Sequence, residues 1–443
     1  MKTLLKNGRL IDPASKTDAL HDILIDNGMV AAIEKAKSIK MEKGTEVIDC
    51  AGLVVSPGFI DLHVHLREPG QTHKETIRTG TMAAAAGGFT TVCAMPNTTP
   101  VNDSTEITEW MQHADRGASV HVLPVPSATV CSMGEKLTDY AALKRAGAVA
   151  VSDDGKPILG DSIMRAALVL AAKNNLPVSQ HAEDTRLTGG CSMHAGDVSF
   201  RLGLRGMTVE AESSIVERDI RLCEEIERKE KLRPHLHVQH VSTERALDAI
   251  RAAKKRGLHL TCEVAPHHFA LTDEAIAESG AGHNTQGAYD SRFKMNPPLR
   301  TESDRQACIA GLLDGTVDCI ATDHAPHAHH EKNVEFERAP NGITGLETAL
   351  GLALRILHMQ HGMSLMDTLR LLTSGPSQVF SLAGTGRCAI GQAADLTLFE
   401  PATVYPYNAN TSFSKSRNTP FHDIAMQGRI RRTLVRGKSV FNM

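Results

Sequence analysis

The stretch FIDLHVHLREPG, residues 59–70, sets two histidines one residue apart in an apolar run and follows them with an arginine. Residues i and i+2 of a strand share a face, so the imidazoles of His63 and His65 point the same way. Two neighbouring imidazoles are half of a metal site, and Arg67 beside them is a planar fork for an anion. Groups of the same chemistry end other apolar runs: Asp153 and Asp154 in AVAVSDD (148–154), His181 in PVSQHAE (177–183), His240 in HLHVQHV (235–241) and Asp323 in CIATDHA (319–325). Packing alone does not explain imidazole or carboxylate at the ends of five runs. Nitrogen and oxygen donors without thiolate suit zinc in a catalytic centre that keeps a position open for water. Such a zinc brings the pKa of its water from about 16 toward about 7 and polarises a carbonyl, which is hydrolase chemistry. Asp323, on the last run, is placed to take the nucleophile's proton and deliver it to a leaving nitrogen as general acid/base.

Something must hold these groups together. With FIDLHVHL (59–66), FTTVCAM (89–95), SVHVLPV (119–125) and LHLTCEV (258–264) the chain has eight short apolar, β-branched runs. Amphipathic stretches such as KETIRTGTMAAAAG, LTDYAALKRAG and ERALDAIRAAKKRG separate them, each with glycine near its end as a helix C-cap has. Eight such alternations predict an α/β fold of the (β/α)8 TIM-barrel type over residues 56–385, with the active site at the C-terminal ends of the strands. Residues 1–55 and 386–443 alternate apolar and polar instead, with turn signals at Asn7-Gly8 and Asn27-Gly28, and predict one small β domain assembled from both termini. The polar segment 327–345, directly after the catalytic run, predicts a loop covering the barrel mouth. His267 and His268 are read as loop packing, and Gly87-Gly88 as a helix C-terminal turn rather than a phosphate loop.

Composition narrows the partners. Lys and Arg number 48 against 51 Asp and Glu, and without a basic run there is no footprint for nucleic acid. Nine scattered cysteines without a CxxC pair indicate neither a disulfide framework nor a thiolate site, which fits a reducing cytoplasm. No segment approaches 18 consecutive apolar residues, so a membrane span is not expected.

The pattern of HVH on the first strand, single histidines on the fifth and sixth and an aspartate on the eighth resembles the amidohydrolase superfamily. Within it, DLHVHLREPGQTHKETIRTGT, GGFTTVCAMPNTTP, AVSDDG, CEVAPHHF, RFKMNPPLR, CIATDHAPH and SKSRNTP are similar to the long, bacterial class I dihydroorotases. The likeness extends over nearly the whole chain. It implies reversible interconversion of N-carbamoyl-L-aspartate and L-dihydroorotate in pyrimidine synthesis, with His63, His65, His181, His240 and Asp323 as ligands of one or two Zn2+ ions. It further implies Asn97 and His327 beside Arg67 on the substrate carboxylate and Asn296 on the ring amide. Many members of the superfamily bridge two metals with a carboxylated lysine on the fourth strand. GAVAVSDDGKP has no lysine within that strand, and an aspartate of DDG takes the bridging place, Asp154 in preference to Asp153. A homodimer and a complex with aspartate transcarbamoylase are further expectations of the resemblance. A hydantoinase- or allantoinase-like enzyme would share the metal ligands without needing the carboxylate clamp, and a non-catalytic homologue would have lost ligands that this chain retains.

Overall fold

The structure, a computed structural model, describes residues 2–40, 42–278 and 288–443. Runs such as FIDLHV and FTTVCA are buried along their whole length, because each is covered by helices outside and by barrel side chains inside, the environment of a parallel sheet. Phe59–Val64, Phe89–Ala94 and His121–Pro124 pair in parallel as the first three barrel strands. Val178–Gln180, Leu236–Val238, Leu260–Val264 and Cys319–Ile320 form a second parallel group, the fifth to eighth. The two groups meet through a parallel bridge between Val64 and His324 on one side and between Val151 and Val178 on the other.

The expected fourth strand is therefore a single bridge. Its neighbours carry Pro124, Pro126 and Pro177, which have no N–H to give, and the surviving bonds run from Val149, Val151 and Ser152 to those prolines' carbonyls. The chain keeps its place in the barrel while losing a regular ladder.

Among the described residues each of the eight barrel positions is followed by a helix: Ile77–Ala86, Thr105–Gln112, Tyr140–Arg145, Asp161–Lys173, Glu210–Glu230, Glu244–Lys255, Glu302–Asp314 and the helical stretch from Ala349 to Gln360. Caps fix several starts, as where Thr243 accepts from Ala246 N and Thr301 from Asp304 N. No helix among the described residues is long and apolar enough to cross a membrane.

Both termini build one eight-stranded sheet. Its order is Lys438–Asn442, Ala425–Val435, Leu396–Pro406, Val54–Pro57, Lys2–Asp12, Thr17–Asp26 and Met29–Lys35, with Glu46–Asp49 also pairing Lys2–Asp12. The seam between the two ends of the chain is the antiparallel pair in which Val55 faces Leu398. This sheet packs on the N-terminal side of the barrel through Phe59, whose ring lies 5.8 Å from that of Phe89 and 6.3 Å from that of Phe399.

Gly88 sits at this junction with φ +88°. Its carbonyl accepts from Thr397 Oγ1, and a Cβ there would stand 2.7 Å from Thr397 Cγ2 and 2.8 Å from the Phe59 ring. A side chain is excluded both by the left-handed backbone and by the packed seam. Gly88→Ala is expected to lower stability by about 1–3 kcal/mol, read as a decreased denaturation midpoint, whereas Gly257→Ala, at φ +89° with open space around it, should lose only the backbone part.

Candidate active site

The C-terminal ends of five barrel positions bring six side chains to one buried focus. His63 Nε2 lies 3.4 Å from Asp154 Oδ1 and 3.6 Å from Asp323 Oδ1. His65 Nε2 is 3.0 Å from Asp323 Oδ1 and 3.6 Å from Asp154 Oδ2. On the far side His181 Nδ1 lies 3.7 Å from Asp154 Oδ1 and 2.9 Å from His240 Nε2. The donor atoms of His63, Asp154 and His240 form one group within 4.8 Å of one another, and those of His63, His65 and Asp323 a second.

The arrangement fits a divalent ion. Ligands at about 2.1 Å from a common tetrahedral centre stand roughly 3.4 Å apart, which is the spacing of His63 and Asp154. His63 Nε2 is buried and has no hydrogen-bond partner in the protein. The donors are all imidazole or carboxylate, a set open to several divalent metals and suited to zinc. Burial works to raise the Asp154 pKa, yet the imidazoles of His63, His65 and His181 hold it well below the usual carboxylate range.

Each ligand is aimed from behind. His65 Nδ1 donates to Asn97 Oδ1 at 2.8 Å, and Asn97 Nδ2 donates in turn to Asp154 Oδ2 at 3.2 Å. Asn97 is thereby tied to the metal-ligand cluster, on the side of the cleft where the resemblance places it as a substrate contact. His181 Nε2 donates to Glu183 Oε2 at 2.8 Å, and His63 Nδ1 to Glu263 Oε1 at 2.8 Å. Both carboxylates face the ring nitrogen that points away from the cluster. Neither glutamate stands out in the sequence. Glu183 is two residues after His181 in the same direction, and Glu263 is the last but one residue of the seventh apolar run, so strand position was the available signal for both.

The two aspartates of DDG separate cleanly. Asp153 turns away, its Oδ1 accepting from Ser127 Oγ at 2.7 Å and Thr129 N at 2.9 Å and its Oδ2 from Thr129 Oγ1. Asp154 alone of the pair reaches the imidazoles.

The cleft beside the cluster holds about 230 Å³ and is lined by Arg67, Asn296 and His327 together with the ligands. Arg67 Nε donates to Pro326 O at 3.1 Å, which orients the guanidinium, and Nη2 lies 3.3 Å from His327 Nε2. Burial brings the Arg67 pKa down to about 10, so the fork stays charged at neutral pH. His327 donates from Nε2 to Asn341 O at 2.8 Å and accepts from Lys74 Nζ at 3.4 Å; burial, with Arg67 and Lys74 adding, keeps it neutral. Asn296 Nδ2 donates to Glu183 Oε2 at 2.7 Å and lies 3.4 Å from His181 Nε2. Asn341 and Gly342 of the 327–345 segment close one wall of the cleft. Lys332 pins that segment by donating to Pro340 O and Gly342 O at 2.9 and 3.2 Å. His267 and His268 are buried in the short helix Pro266–Ala270, outside the focus, where His268 Nε2 donates to Pro297 O at 3.0 Å.

Three residues of the rim hold a left-handed backbone without being glycine: Arg67 at φ 61°, Asp323 at φ 49° and His240 at φ 28°. Such conformations cost on the order of 1–3 kcal/mol each and are retained where the surroundings over-determine them. Here they turn the side chain from the strand end into the cleft.

A (β/α)8 barrel with imidazoles and carboxylates converging at its C-terminal rim, joined to a sheet built from both termini, is the architecture of the amidohydrolases. Among solved structures it is matched by the dihydropyrimidinase of Brevibacillus agri, with TM-score 0.81 and 23% identity over 100% of this chain and 95% of that one. The L-hydantoinase of Arthrobacter aurescens matches with TM-score 0.83 and 22% identity over 99% and 96%. Residues 52–245 match the family model described as dihydro-orotase-like. The dihydroorotase of Solibacter usitatus is 45% identical over 438 residues, 99% of this chain and 97% of the relative, and that of Syntrophotalea carbinolica is 45% identical over 445 residues, 100% of both. The chain belongs to the dihydroorotase family.

The two adjacent aspartates can be told apart by metal analysis. Asp154→Asn is expected to release most of the bound metal during dialysis while keeping the fold. Asp153→Asn is expected to retain parental metal and lower thermal stability instead, because its carboxylate satisfies three buried donors.

Proposed function

We propose that the chain interconverts N-carbamoyl-L-aspartate and L-dihydroorotate in de novo pyrimidine synthesis, with zinc at the cluster of His63, His65, Asp154, His181, His240 and Asp323. The observation that carries this reading is the juxtaposition, in one cleft, of a hydrolytic ligand set and a buried, charged arginine fork: the substrate ring needs its amide opened and carries a carboxylate to be held. Family membership across the full chain supports it.

Zinc, when bound, supplies Lewis-acid polarisation of the ring carbonyl and an acidified water. Arg67 takes the ring carboxylate through two charge-assisted hydrogen bonds, with His327 beside it as a neutral contact. Asn296, already anchored on Glu183, turns its amide to the ring. Asp323 reaches the cluster from the eighth strand, its Oδ1 3.0 Å from His65 Nε2, and is placed to receive a proton from the attacking water and pass it to the departing ring nitrogen. Ring closure runs the same proton back. Closure consumes a proton when the carboxylate condenses, so mildly acidic solution favours the ring and alkaline solution its opening.

Asp323→Asn removes that proton carrier. Turnover is expected to fall by about 10² to 10⁴, with KM for dihydroorotate changed far less. Metal content measured on the same sample separates loss of the proton carrier from loss of the ion, and near-normal turnover with metal bound would exclude Asp323 from the role.

Arg67 separates this substrate from carboxylate-free cyclic amides, such as a hydantoinase-like enzyme would take. Its loss should strand an anion in a partly dry cleft, at a cost on the order of 2–5 kcal/mol. Arg67→Lys should stay impaired, because a point charge cannot reproduce the fork, and Arg67→Met should be worse. Measured as kcat/KM for L-dihydroorotate against dihydrouracil, discrimination should collapse in both variants while zinc content stays near the parent's. Unchanged discrimination would mark Arg67 as structural and favour the carboxylate-free substrate class.

A further inference from the structure

Behind the first-strand histidine a column of polar groups runs down the barrel interior, and the ring-opening chemistry does not use it. His63 Nδ1 lies 2.8 Å from Glu263 Oε1, and the other oxygen of that carboxylate, Oε2, lies 3.0 Å from His237 Nε2. His237 Nδ1 is 2.9 Å from Thr261 Oγ1, which is 2.8 Å from His235 Nε2. His235 stacks on the exposed ring of His259, with centroids 4.0 Å apart and planes 20° from parallel. His63, His237 and Glu263 are 0 to 1% exposed.

With one proton on each imidazole, the hydrogen bonds of these groups close in a single direction. A carboxylate accepts only, so both imidazoles facing Glu263 present N–H: His63 at Nδ1 and His237 at Nε2. Neutral His237 then has a bare Nδ1, which Thr261 must fill with its hydroxyl proton. The hydroxyl oxygen is left to accept from His235 Nε2–H. With Nδ1 committed to Glu263, His63 turns Nε2, a buried atom without a protein partner, toward the ligand cluster. The links at Glu263 are fully buried, where a half-satisfied bond costs more than an intact one, while Thr261 and His235 below them are half-buried.

We propose that Glu263 is a positioning residue for the metal centre, and that the column His237–Thr261–His235 fixes the orientation of Glu263, so that the tautomer and aim of His63 are set from the sixth and seventh strands. The inference rests on His63 being a metal ligand. Outer carboxylates of this kind are worth roughly 10- to 100-fold in metal affinity. Glu263 differs from Asn97 and Glu183, the outer partners of His65 and His181, in lying wholly inside the barrel beneath the cleft, where no substrate reaches it.

Zinc dissociation constants from chelator competition, with ¹⁵N-histidine spectra of the protein before and after zinc, test it on the parent, Glu263→Gln and Thr261→Val. Glutamine keeps the shape but must turn its NH2 toward one of two rings that already present N–H. The expected result is zinc bound roughly 10- to 100-fold more weakly, loss of the single His63 Nδ1–H tautomer, and an apo-protein melting temperature within a few degrees of the parent's. Valine should leave His237 as a mixture of tautomers and weaken zinc by a smaller factor; if the glutamine variant does not fold, valine carries the test. Parental zinc affinity together with parental His63 and His237 tautomers in the folded variants overturns the proposal. A parent that binds no zinc overturns the metal reading itself, whereas a parent that binds zinc beside an unaffected Glu263→Gln overturns the column alone.

Discussion

The constraint on which the structure turns is the burial of Asp154 among imidazoles. A carboxylate taken out of water demands compensation, and four rings supply it from three different strand ends within 3.4 to 4.0 Å. The rings cannot be approximately placed. A ring needs its second nitrogen occupied so that the first faces inward, and three of the four find that partner in different parts of the barrel: Asn97 for His65, Glu183 for His181, Glu263 for His63. The demand for one anion thus propagates outward until it involves strands one, two, five, six and seven.

Geometry of this accuracy also accounts for the strained backbone. His63 and His65 share one face of the first strand, but the strand ends at Val64 and the chain must turn to bring Arg67 over the same cleft. Arg67 leaves the strand with a left-handed turn, and Asp323 does likewise on the eighth strand, next to the bridge from Val64 to His324 that closes the barrel. Closure and catalysis share a position: His65 N donates to His324 O at 2.9 Å, one residue from Asp323 on one side and two from Arg67 on the other. The least regular backbone therefore lies beside the single bridge that joins the first and eighth barrel positions.

What the sequence discloses follows from periodicity. The HxH pair, His181, His240 and Asp323 are legible because each ends an apolar run and the barrel's topology sends strand ends to one rim. The eight runs themselves are legible for the same reason, but AVAVSDD reads as a strand and folds as one bridge, since the absent donors belong to prolines on the neighbouring segments rather than to its own residues. Glu183 and Glu263 escape for a related reason: a single buried glutamate is invisible to periodicity and acquires meaning only when the imidazole it faces is known. Asp153 and Asp154 are equivalent in the sequence, and it is the donors of Ser127 and Thr129, on another loop, that distinguish them.

The division of labour between strands and loops has a consequence for substrate choice. The ligand cluster and its outer partners sit on barrel strands or their immediate ends, locked by buried hydrogen bonds whose loss would expose charge in a dry interior. Arg67, Asn296, His327 and Asn341 line the same cleft from loops, where Arg67 and His327 bond to backbone carbonyls, Pro326 O and Asn341 O, and Asn296 bonds to Glu183. A backbone carbonyl persists when side chains are exchanged, so the first two contacts do not depend on the identity of a neighbouring side chain, whereas the third does. On the proposed reading the barrel fixes which bond is opened, while the loops, held together by Lys332 and by Asn418 bonding to Ala325 O and Gly342 O at 2.9 and 3.0 Å, decide which ring is admitted to it.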